Sequence, residues 1–492
     1  MFPVPICRLL TETDCRGGRP VVQMRPMTIL FAASEVAPHA ATGGLGEVLA
    51  SLPRFVEALG HDVVVVVPGY PTLMKDATPV DVRFSLPVGD ALQPVTIYEK
   101  IQDDGTQLLL IHNDALFGRP GIYGDASAPY PDNAVRFILF SRAVVELAKR
   151  LQPSPSVLHL HDWQTALVPA LVREQRLPFR TVLTLHNAAH QGSFPASDFA
   201  LTNLPFHWMA PTGLEFYGSL NLLKGGILSA DALTTVSSTY RRELLTPGGG
   251  CGLHDVLRGR SDVLHAIPNG VDPERWSPAP RFSAESTAGK AECRRELLVE
   301  VGLRPNPDGP VFAMLGRLAD QKGFDLLLPL LPRLFTDDVR LIVAGDGSPT
   351  LRRDLLAACR QHPAKFAFLS EWDPEFPKRL FSGADALLVP SHFEPCGLAP
   401  LNALRFGTVP IAHATGGLLE NLTDYEPATG AGNALLYRDD ASGALWDTIG
   451  RAGVLFRDKP IWQNLLGNAM RAVFPWESAA GALDALYRRL NG

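Results

Sequence analysis

The stretch from Ala386 to Leu418 decides the predicted fold, and it reads ALLVPSHFEPCGLAPLNALRFGTVPIAHATGGL. The apolar run at its start predicts a buried parallel strand, and Val409–Ala412 predicts the next one. The segment between them begins at Gly397 and ends at Gly407, which is typical of a helix that joins two parallel strands. In open α/β sheets, ligands bind beyond the carboxyl ends of such strands.

Two loops follow these strands and carry candidate binding residues. A carboxylate in one loop and paired glycines in the other predict a sugar-nucleotide site at this edge of the sheet. An ordinary α/β turn, with an acid near a helix N-terminus, is the alternative interpretation of Glu394 alone. The candidate residues of the two loops are Glu394, Cys396, Gly397, Leu398, Thr415, Gly416 and Gly417.

Composition narrows the class of protein. The 492 residues are 46% hydrophobic and 20% charged, which is typical of a globular protein with two or three domains. The net charge of −6 argues against a nucleic-acid-binding protein. The six cysteines form no CxxC pair, which argues against a disulfide framework or a zinc site and favours the cytoplasm. No apolar run is long enough to cross a membrane.

A glycine-rich turn lies near the start of the chain. A strand is predicted for Thr28–Ala33 and a helix for about Leu45–Leu59, and Gly43 and Gly44 lie between them. Because glycine has no side chain, a phosphate or a sugar can approach the backbone N–H groups at the start of the helix. The glycine spacing differs from GxGxxG, which disfavours a nicotinamide-dependent enzyme.

Three further predicted strands are each followed by polar residues, which predicts one shared edge of a cleft. Any single histidine at such a place could instead be a structural hydrogen-bonding group. The strands and the residues after them are Val157–Leu160 with His161, Thr181–Leu185 with His186 and Asn187, and Ala232–Val236 with Ser237.

Two positive charges, Arg317 and Lys322, follow the predicted strand Val311–Leu315. Two fixed cations opposite glycine-rich helix starts can hold a diphosphate through charge-assisted hydrogen bonds. They would also stabilise a nucleoside diphosphate as a leaving group. We therefore expect no catalytic metal and no cofactor. A surface Arg and Lys near a helix start is the alternative interpretation.

The order of these segments predicts two doubly wound α/β domains that face a cleft. We predict an N-terminal extension over residues 1–26, a first domain over 27–264, a second over 265–470 and a C-terminal helix within 471–492. Met27 is a candidate start of the protein, and residues 1–26 do not have the pattern of a secretory signal peptide.

The motifs together resemble the bacterial glycogen synthase and plant starch synthase family. This resemblance implies a GT-B fold, in which the last helix crosses back to the first domain. It also implies retaining transfer of glucose from a nucleotide-glucose, with ADP-glucose expected, to the 4-OH of an α-1,4-glucan. The motifs, in chain order, are TGGLGEV, PDNAVRF, HLHDWQTALVP, HNAAHQG, GRLADQKGFDLL, SHFEPCGL and FPW.

The resemblance also implies residue roles. Arg317 and Lys322 would hold the donor diphosphate, and Glu394 would contact the transferred glucose. His161 would border the reacting sugar, and the backbone of the paired glycines would meet the donor. The remaining implied cleft and acceptor-path residues are Asp132, Asn133, His186, Asn187, Gln191 and Asn269.

Several positions depart from the family pattern. Ala41 stands where the family has a lysine in the glycine-rich loop, which leaves the donor base open. A different donor such as UDP-glucose, a small acceptor, or a non-catalytic glucan-binding role are the alternative functions. The sequence leaves the oligomeric state open. Other departures are Glu47 for aspartate, Pro400 for glutamine, Glu420 for aspartate, and Leu483 for tyrosine.

Overall fold

The computed structural model describes residues 25–125, 128–305 and 308–492. Most of the predicted N-terminal extension therefore lies outside the described residues. The described chain forms two α/β units, each built around a largely parallel sheet. These two units confirm the predicted fold class of two doubly wound α/β domains.

The strands of the first unit lie between Thr28 and Ala266 and form two sheets. They are β1 (Thr28–Ala32), β2 (Asp62–Pro68), β3 (Thr78–Val88), β4 (Ala91–Ile101), β5 (Gln107–His112), β6 (Val157–His161), β7 (Arg180–Leu185), β8 (Ser193–Pro195), β9 (Glu215–Phe216), β10 (Ser219–Asn221), β11 (Ala232–Thr235) and β12 (Leu264–Ala266). Nine of them, in the described residues, form one sheet in the order β12-β11-β7-β6-β1-β2-β5-β4-β3. Pairing is parallel from β12 to β5 and antiparallel for β4 and β3 at one edge. β8, β10 and β9 form a separate antiparallel sheet.

Helices of the first unit cover its sheet. They are α1 (Gly44–Leu49), α2 (Leu52–Glu57), α3 (Pro71–Met74), α4 (Asp114–Phe117), α5 (Asn133–Ala148), α6 (Val168–Glu174), α7 (Leu222–Ser229), α8 (Ser238–Leu244) and α9 (His254–Arg258), with 3₁₀ helices at Ala196–Thr202 and Phe206–Trp208. The single helix predicted for Leu45–Leu59 is wrong, because the segment forms both α1 and α2. Pro53 in the first turn of α2 has no N–H for a continuous helix, which explains the break.

The second unit contains a fully parallel sheet. Its strands are β13 (Val311–Leu315), β14 (Arg340–Ala344), β15 (Phe366–Leu369), β16 (Ala386–Val389), β17 (Val409–His413) and β18 (Leu435–Tyr437). They lie in the order β15-β14-β13-β16-β17-β18, and every pair is parallel. This is the doubly wound arrangement, in which the strand order reverses between β13 and β16, the first and fourth strands of the unit.

Helices of the second unit and of the chain's end follow in sequence. They are α10 (Ala288–Glu300), α11 (Phe324–Leu327), α12 (Leu331–Leu334), α13 (Pro349–Gln361), α14 (Phe376–Gly383), α15 (Leu398–Arg405), α16 (Leu418–Asn421), α17 (Ser442–Arg457), α18 (Lys459–Arg471) and α19 (Trp476–Asn491), with 3₁₀ helices at Asp320–Lys322 and Leu328–Leu330. Within the described residues, no helix is both long enough and apolar enough to span a membrane.

The last helix, α19, packs on the first unit although it follows the second sheet in sequence. The Tyr487 hydroxyl lies 2.6 Å from His159 Nδ1, and Asp484 Oδ1 lies 2.7 Å from His61 Nε2. Strand β12 belongs to the first sheet and runs to Ala266, two residues past the predicted domain boundary. The domain bounds themselves stay a prediction.

Each sheet has one topological switch point, where the chain connections leave in opposite directions. In the first sheet it lies between β1 and β6, and in the second between β13 and β16. These central strands are buried, with the β1 side chains Ile29, Leu30 and Phe31 fully covered. Crevices at switch points are the usual ligand sites of such sheets. The predicted residues Arg317, Lys322 and Glu394 follow the strands of the second switch point, and His161 ends a strand of the first.

Candidate active site between the two switch points

The second switch point carries a buried ion pair. Lys322 Nζ, after β13, lies 2.5 Å from Glu394 Oε2, after β16. The Ser391 hydroxyl donates to the same carboxylate oxygen at 3.0 Å. Glu394 is 9% exposed, so the lysine and the serine fix the direction of its carboxylate while one edge stays open to the cleft. The structure thus brings together two of the predicted catalytic residues.

Arg317 lies apart from this pair and reaches across the cleft. Its Nη2 group lies 3.1 Å from Nε2 of His190, which belongs to the loop after β7. Desolvation, together with the positive charge of Arg317, lowers the pKa of His190 to about 4. The neutral imidazole can therefore accept a hydrogen bond from the guanidinium. Sequence reasoning missed His190, although it lies in the same HNAAHQG motif as three predicted residues.

Gly416 and Gly417 must be glycines because their loop, after β17, lies very close to the loop after β16. Gly416 has φ +49°, and a Cβ there would lie 2.1 Å from the carbonyl oxygen of Glu394. The Gly417 N–H donates to that same oxygen at 2.9 Å. A Cβ on Gly417 would lie 2.6 Å from the Pro395 carbonyl oxygen. Only glycine fits at both positions, and Thr415 precedes them in the loop after β17.

Gly397 begins α15 with φ +81°, and a Cβ there would clash with Leu418. The neighbouring Cys396 is buried beside Asn269, and burial raises the pKa of its thiol to about 12. The thiol therefore stays protonated and neutral. Leu398 reaches the first unit, because a Cβ on Gly44 would lie 3.4 Å from its Cδ1.

The first switch point begins with a carboxylate that holds the glycine-rich turn. Glu35, just after β1, accepts hydrogen bonds from the Thr42 N–H at 2.6 Å and the Thr42 hydroxyl at 2.9 Å. The Tyr123 hydroxyl donates to it at 2.6 Å. Gly43 and Gly44 follow at the exposed start of α1. Sequence reasoning missed Glu35, although an acid directly after the first strand was a usable signal.

Three histidines stack at this switch point. The ring centroids of His159 and His161 are 4.5 Å apart, and those of His161 and His186 are 5.2 Å apart. His161 Nδ1 lies 2.9 Å from His186 Nε2. Burial lowers the pKa of His159 and of His186 to about 3, and it holds the pKa of His161 well below its ordinary value. All three rings are therefore neutral at physiological pH.

The other ring nitrogen of His161, Nε2, is buried and has no hydrogen-bond partner in the part of the chain that the structure describes. A cavity of about 20 Å³, also lined by Asn269, lies beside the histidine rings. Buried polar atoms are normally paired, so an unpartnered imidazole nitrogen beside a cavity is a candidate contact for a ligand hydroxyl or a water molecule.

Asp162 connects the exits of β6 and β7. It has φ +57°, a conformation that aspartate tolerates better than most residues. Its Oδ1 accepts a hydrogen bond from the His186 N–H at 2.7 Å. Burial raises the pKa of Asp162 to about 7, with the backbone donors acting in the opposite direction. The carboxyl group therefore titrates near neutral pH while it orients the loop that carries His186.

Asp132 and Asn133, at the start of α5, have protein partners in this structure. Asp132 Oδ2 forms an ion pair with Arg119 at 2.5 Å, which lowers the pKa of the aspartate. The Asn133 amide donates to the Tyr123 carbonyl at 2.8 Å and accepts from the buried Arg136 at 2.7 Å. Both residues shape the loop before α5, and their roles in binding stay a prediction.

Asn187 and Gln191 connect loops around the cleft. Asn187 Nδ2 donates to Gln321 Oε1 of the second unit at 3.1 Å. Gln191 Nε2 donates to the Cys251 carbonyl at 2.7 Å, and its Oε1 accepts from Asn221 at 2.7 Å. Their predicted contacts with an acceptor also remain untested.

Helix α8 carries a set of direct contacts between the two units. The Ser237 hydroxyl donates to the Pro395 carbonyl at 2.8 Å, and Glu243 Oε1 accepts from the Gly416 N–H at 3.1 Å. From the other side, the Glu420 carboxylate accepts from the Ser238 N–H at 3.1 Å, at the positive end of α8. Glu420, which departs from the family pattern, therefore stabilises this interface.

Glu47 also departs from the family pattern, and its partners lie in the segment that leads into the second unit. Its Oε2 lies 3.1 Å from Arg275 Nε and 3.3 Å from the indole nitrogen of Trp276, which donates to it. The charge of Glu47 is thus compensated by the segment that leads into the second unit. Among the residues that the structure describes, no group of three or more His, Cys, Asp or Glu side chains is arranged to hold a metal ion.

Two family sequence profiles match the chain. Residues 28–259 match the starch synthase catalytic domain, and residues 300–447 match the glycosyl transferases group 1. Curated relatives match over nearly their whole length. Glycogen synthase 2 of Geobacter sulfurreducens is 40% identical over 479 residues, which is 94% of this chain and 98% of the relative. A glycogen synthase of Anaeromyxobacter sp. is 40% identical over 481 residues, covering 94% and 99%.

Solved structures agree with these matches. The catalytic domain of starch synthase IV from Arabidopsis thaliana, bound to ADP and acarbose, superposes with a TM-score of 0.88 at 28% identity, covering 95% of this chain and 100% of that one. A sucrose-phosphate synthase from Thermosynechococcus elongatus, at 19% identity and a TM-score of 0.62 over 94% and 99%, shares the fold. The chain therefore belongs to the bacterial glycogen synthase and plant starch synthase family of GT-B glycosyltransferases.

Proposed function

We propose that this protein elongates an α-1,4-glucan by transferring glucose, with retention, from ADP-glucose to the 4-OH at a non-reducing end. The observation that carries the proposal is the Lys322–Glu394 pair at the second switch point, opposite the neutral histidines of the first. The curated relatives are named glycogen synthases, and the starch synthase IV structure contains ADP. Both facts support a glucan acceptor and an adenine nucleotide donor.

The leaving diphosphate is the main electrostatic demand of this reaction. Arg317 and Lys322 supply two fixed positive charges on the loop after β13, and the N–H group of Gly416 adds a backbone donor. In the present structure the Gly416 N–H donates to Glu243. A donor phosphate would replace that carboxylate. Each charge-assisted hydrogen bond to the phosphates contributes about 1.5–3 kcal/mol.

Glu394 would face the positive charge that develops on the transferred glucose. Lys322 already neutralises part of its charge, which makes it a poor covalent nucleophile. We therefore favour attack on the same face from which the diphosphate leaves. A leaving phosphate oxygen would then take the proton of the acceptor hydroxyl, and the configuration at the glucose carbon would be retained.

His161 would bind the glucose as a neutral hydrogen-bonding group. Its buried Nε2 has no partner among the described residues and is the atom that we propose contacts a sugar hydroxyl, while its other nitrogen is held by His186. Asp132, Asn133, Asn187, Gln191 and Asn269 are proposed to line the acceptor path. Because three buried neutral imidazoles repel no cation and attract no anion strongly, this side suits an uncharged polyol.

A donor screen tests the proposed function. The purified full chain would be incubated with radiolabelled ADP-glucose or UDP-glucose and with glycogen, each with and without EDTA. We expect label to enter glycogen from ADP-glucose, and we expect EDTA to leave the rate unchanged. Faster transfer from UDP-glucose would assign the other donor, and no transfer from either would support a non-catalytic glucan-binding role. We also propose that the protein acts in the cytoplasm, where ADP-glucose is available to it.

A further inference from the structure

An aromatic ring is displayed at the tip of the β9–β10 hairpin. Tyr217 is 87% exposed and has φ +48°, and the next residue, Gly218, has φ +80°. Two successive positive φ angles are normal for a two-residue hairpin, where Asn-Gly or Gly-Gly are the favoured pairs. A bulky aromatic residue in this conformation is a genuine outlier. Such local strain is concentrated at ligand-binding positions.

Hydrogen bonds within and beneath the β9–β10 hairpin fix its conformation. Glu215 Oε1 accepts a hydrogen bond from the Gly218 N–H at 2.7 Å and closes the turn. Beneath it, the buried Lys224 donates from Nζ to the Gly213 carbonyl at 3.0 Å and the Glu215 carbonyl at 2.7 Å. The strained tyrosine is therefore held in a fixed place by a buried cation and by the pairing of β10 with β8.

A second aromatic ring supports the first. The Phe216 and Tyr217 ring centroids are 4.6 Å apart, with an angle of 60° between the planes. Phe216 also faces the glycine-rich loop before α9, since a Cβ on Gly252 would lie 3.7 Å from its ring. Phe216 is only partly exposed, whereas Tyr217 projects into solvent. The pair forms an aromatic surface in which Tyr217 is exposed and Phe216 is partly covered.

Hydrogen bonds connect this hairpin to the loop that we propose lies on the acceptor side of the cleft. Asn221, at the far end of β10, donates to Gln191 Oε1 at 2.7 Å, and Gln191 in turn donates to Cys251. The hairpin is thus fixed to the HNAAHQG loop, whose His190 contacts Arg317. The four residue-to-residue steps from Asn221 to Tyr217 span at most about 13 Å. Only an acceptor chain that extends past Gln191 and on to the hairpin would reach the tip.

We propose that Tyr217, supported by Phe216, is a stacking platform for an α-glucan chain outside the cleft. The inference rests on the proposed function, because it assigns the outer part of the same acceptor. A glucose ring is an uncharged polyol with apolar C–H faces, and a tyrosine offers it a flat apolar face and one hydroxyl. The platform would hold long acceptors and would not touch the donor.

The test compares Tyr217→Ala with the matched control Phe206→Ala in the full chain. Phe206 is also a displayed aromatic residue, 80% exposed, in the 3₁₀ helix Phe206–Trp208. Electrophoresis in gels that contain glycogen measures binding without any need for activity. We expect the apparent Kd for glycogen to rise about two- to tenfold in Tyr217→Ala, the range of an aromatic contact, and to stay unchanged in Phe206→Ala.

Kinetics and two further variants sharpen the test. In Tyr217→Ala the KM for glycogen should rise by the same factor, while kcat, the KM for ADP-glucose and the KM for maltotriose stay unchanged. Tyr217→Asn relieves the backbone strain and should be at least as stable, yet lose glycogen binding to the same extent. Tyr217→Trp should retain binding.

Each other outcome overturns the platform. These outcomes are unchanged glycogen binding in Tyr217→Ala, equal weakening in Phe206→Ala, or an equal loss with maltotriose. A change from dimer to monomer in sedimentation, with glycogen binding intact, would assign the surface to a second copy of the chain. If the protein transfers no glucose but Tyr217→Ala still weakens the retardation by glycogen and Phe206→Ala does not, the proposed function is contradicted and the platform is supported.

Discussion

The two switch points have the same topology but opposite electrostatics. At the second, Lys322 and Glu394 form an ion pair with Arg317 nearby. At the first, the buried His161 stacks on the partly exposed His186, and both rings are neutral because desolvation lowers their pKa. One crevice is therefore built to compensate the charges of a diphosphate, and the other to hydrogen-bond uncharged sugar hydroxyls. We call the first crevice the neutral side after its uncharged histidine rings, although the Glu35 carboxylate also lies there, and the second crevice the charged side.

Loss of the carboxylate on the charged side is expected to have the largest effect. Glu394→Ala should lower kcat about 10²- to 10³-fold, the range for removing one electrostatic group aimed at the reacting centre. Cys396→Ala, two residues away, should change kcat only slightly, since this buried thiol is neutral. Steady-state kinetics with ADP-glucose and glycogen would check both. A cysteine variant that is damaged more than the glutamate variant would reverse the assigned roles.

Removal of either cation should come next. Lys322→Ala and Arg317→Ala should each lower kcat/KM for the donor about 10- to 150-fold, corresponding to about 1.5–3 kcal/mol for one charge-assisted contact. Lys322→Ala should be the more severe variant, because it also leaves Glu394 unpaired. Circular dichroism and thermal unfolding would verify that both variants fold. Wild-type rates in both would remove the diphosphate site from this position.

The strands and their exits were predictable because parallel strands leave a local signal. The apolar run Ala386–Val389 and the positions of Lys322 and Glu394 after neighbouring strands could be identified from the sequence. The contacts of α8 could not, because Ser238 and Glu420 are 182 residues apart and meet only when the two units dock. Pairing across such a distance depends on the positions of whole domains, which no local pattern encodes.

On the neutral side, Asp162 should make the free energy of unfolding depend on pH. The pKa of Asp162 is about 7 in the folded protein, above the value near 4 of an unfolded aspartate. Between these values the folded state binds more protons than the unfolded state. The contribution of Asp162 to the free energy of unfolding therefore falls as pH rises, by at most about 1.4 kcal/mol per pH unit.

Urea denaturation of the wild type and of Asp162→Asn from pH 4 to pH 8 would measure this slope. Asparagine keeps an oxygen that accepts from the His186 N–H but does not titrate. The difference between the two proteins should therefore decline with rising pH and level off above pH 7. Parallel curves would mean that Asp162 titrates at the same pH in both states.

Substitution of Glu243, a carboxylate at the interface between the two units, should have a smaller effect on the kinetics. Glu243 accepts from the Gly416 N–H, where the donor diphosphate is proposed to bind. Glu243→Gln keeps an acceptor but removes the negative charge, so the KM for ADP-glucose should fall about fivefold, or roughly 1 kcal/mol. Glu420→Gln, which removes a charge at the start of α8, should not lower this KM. A higher donor KM in Glu243→Gln would show that closure of the two units outweighs repulsion.

The smallest expected effect comes from adding a charge to the neutral side. Ala41 lies exposed in the glycine-rich loop, and its Cβ packs against Gly46 at the start of α1. A lysine would keep the same Cβ position, and its flexible stem would extend from the loop into solvent. An exposed contact of this kind contributes about 0.2–1 kcal/mol. That is less than the contribution of Arg317 or Lys322, because the ammonium must be ordered before it can meet the phosphates.

Ala41→Lys should therefore raise kcat/KM for ADP-glucose by about two- to threefold, and the gain should disappear at high salt. Ala41→Met, which has a stem of similar length and no charge, is the matched control and should leave the rate unchanged. A gain in both variants would assign the effect to packing against α1. A loss in the lysine variant alone would mean that the first switch point functions because it carries no added cation, and the division between a charged and a neutral side would then be a requirement for turnover.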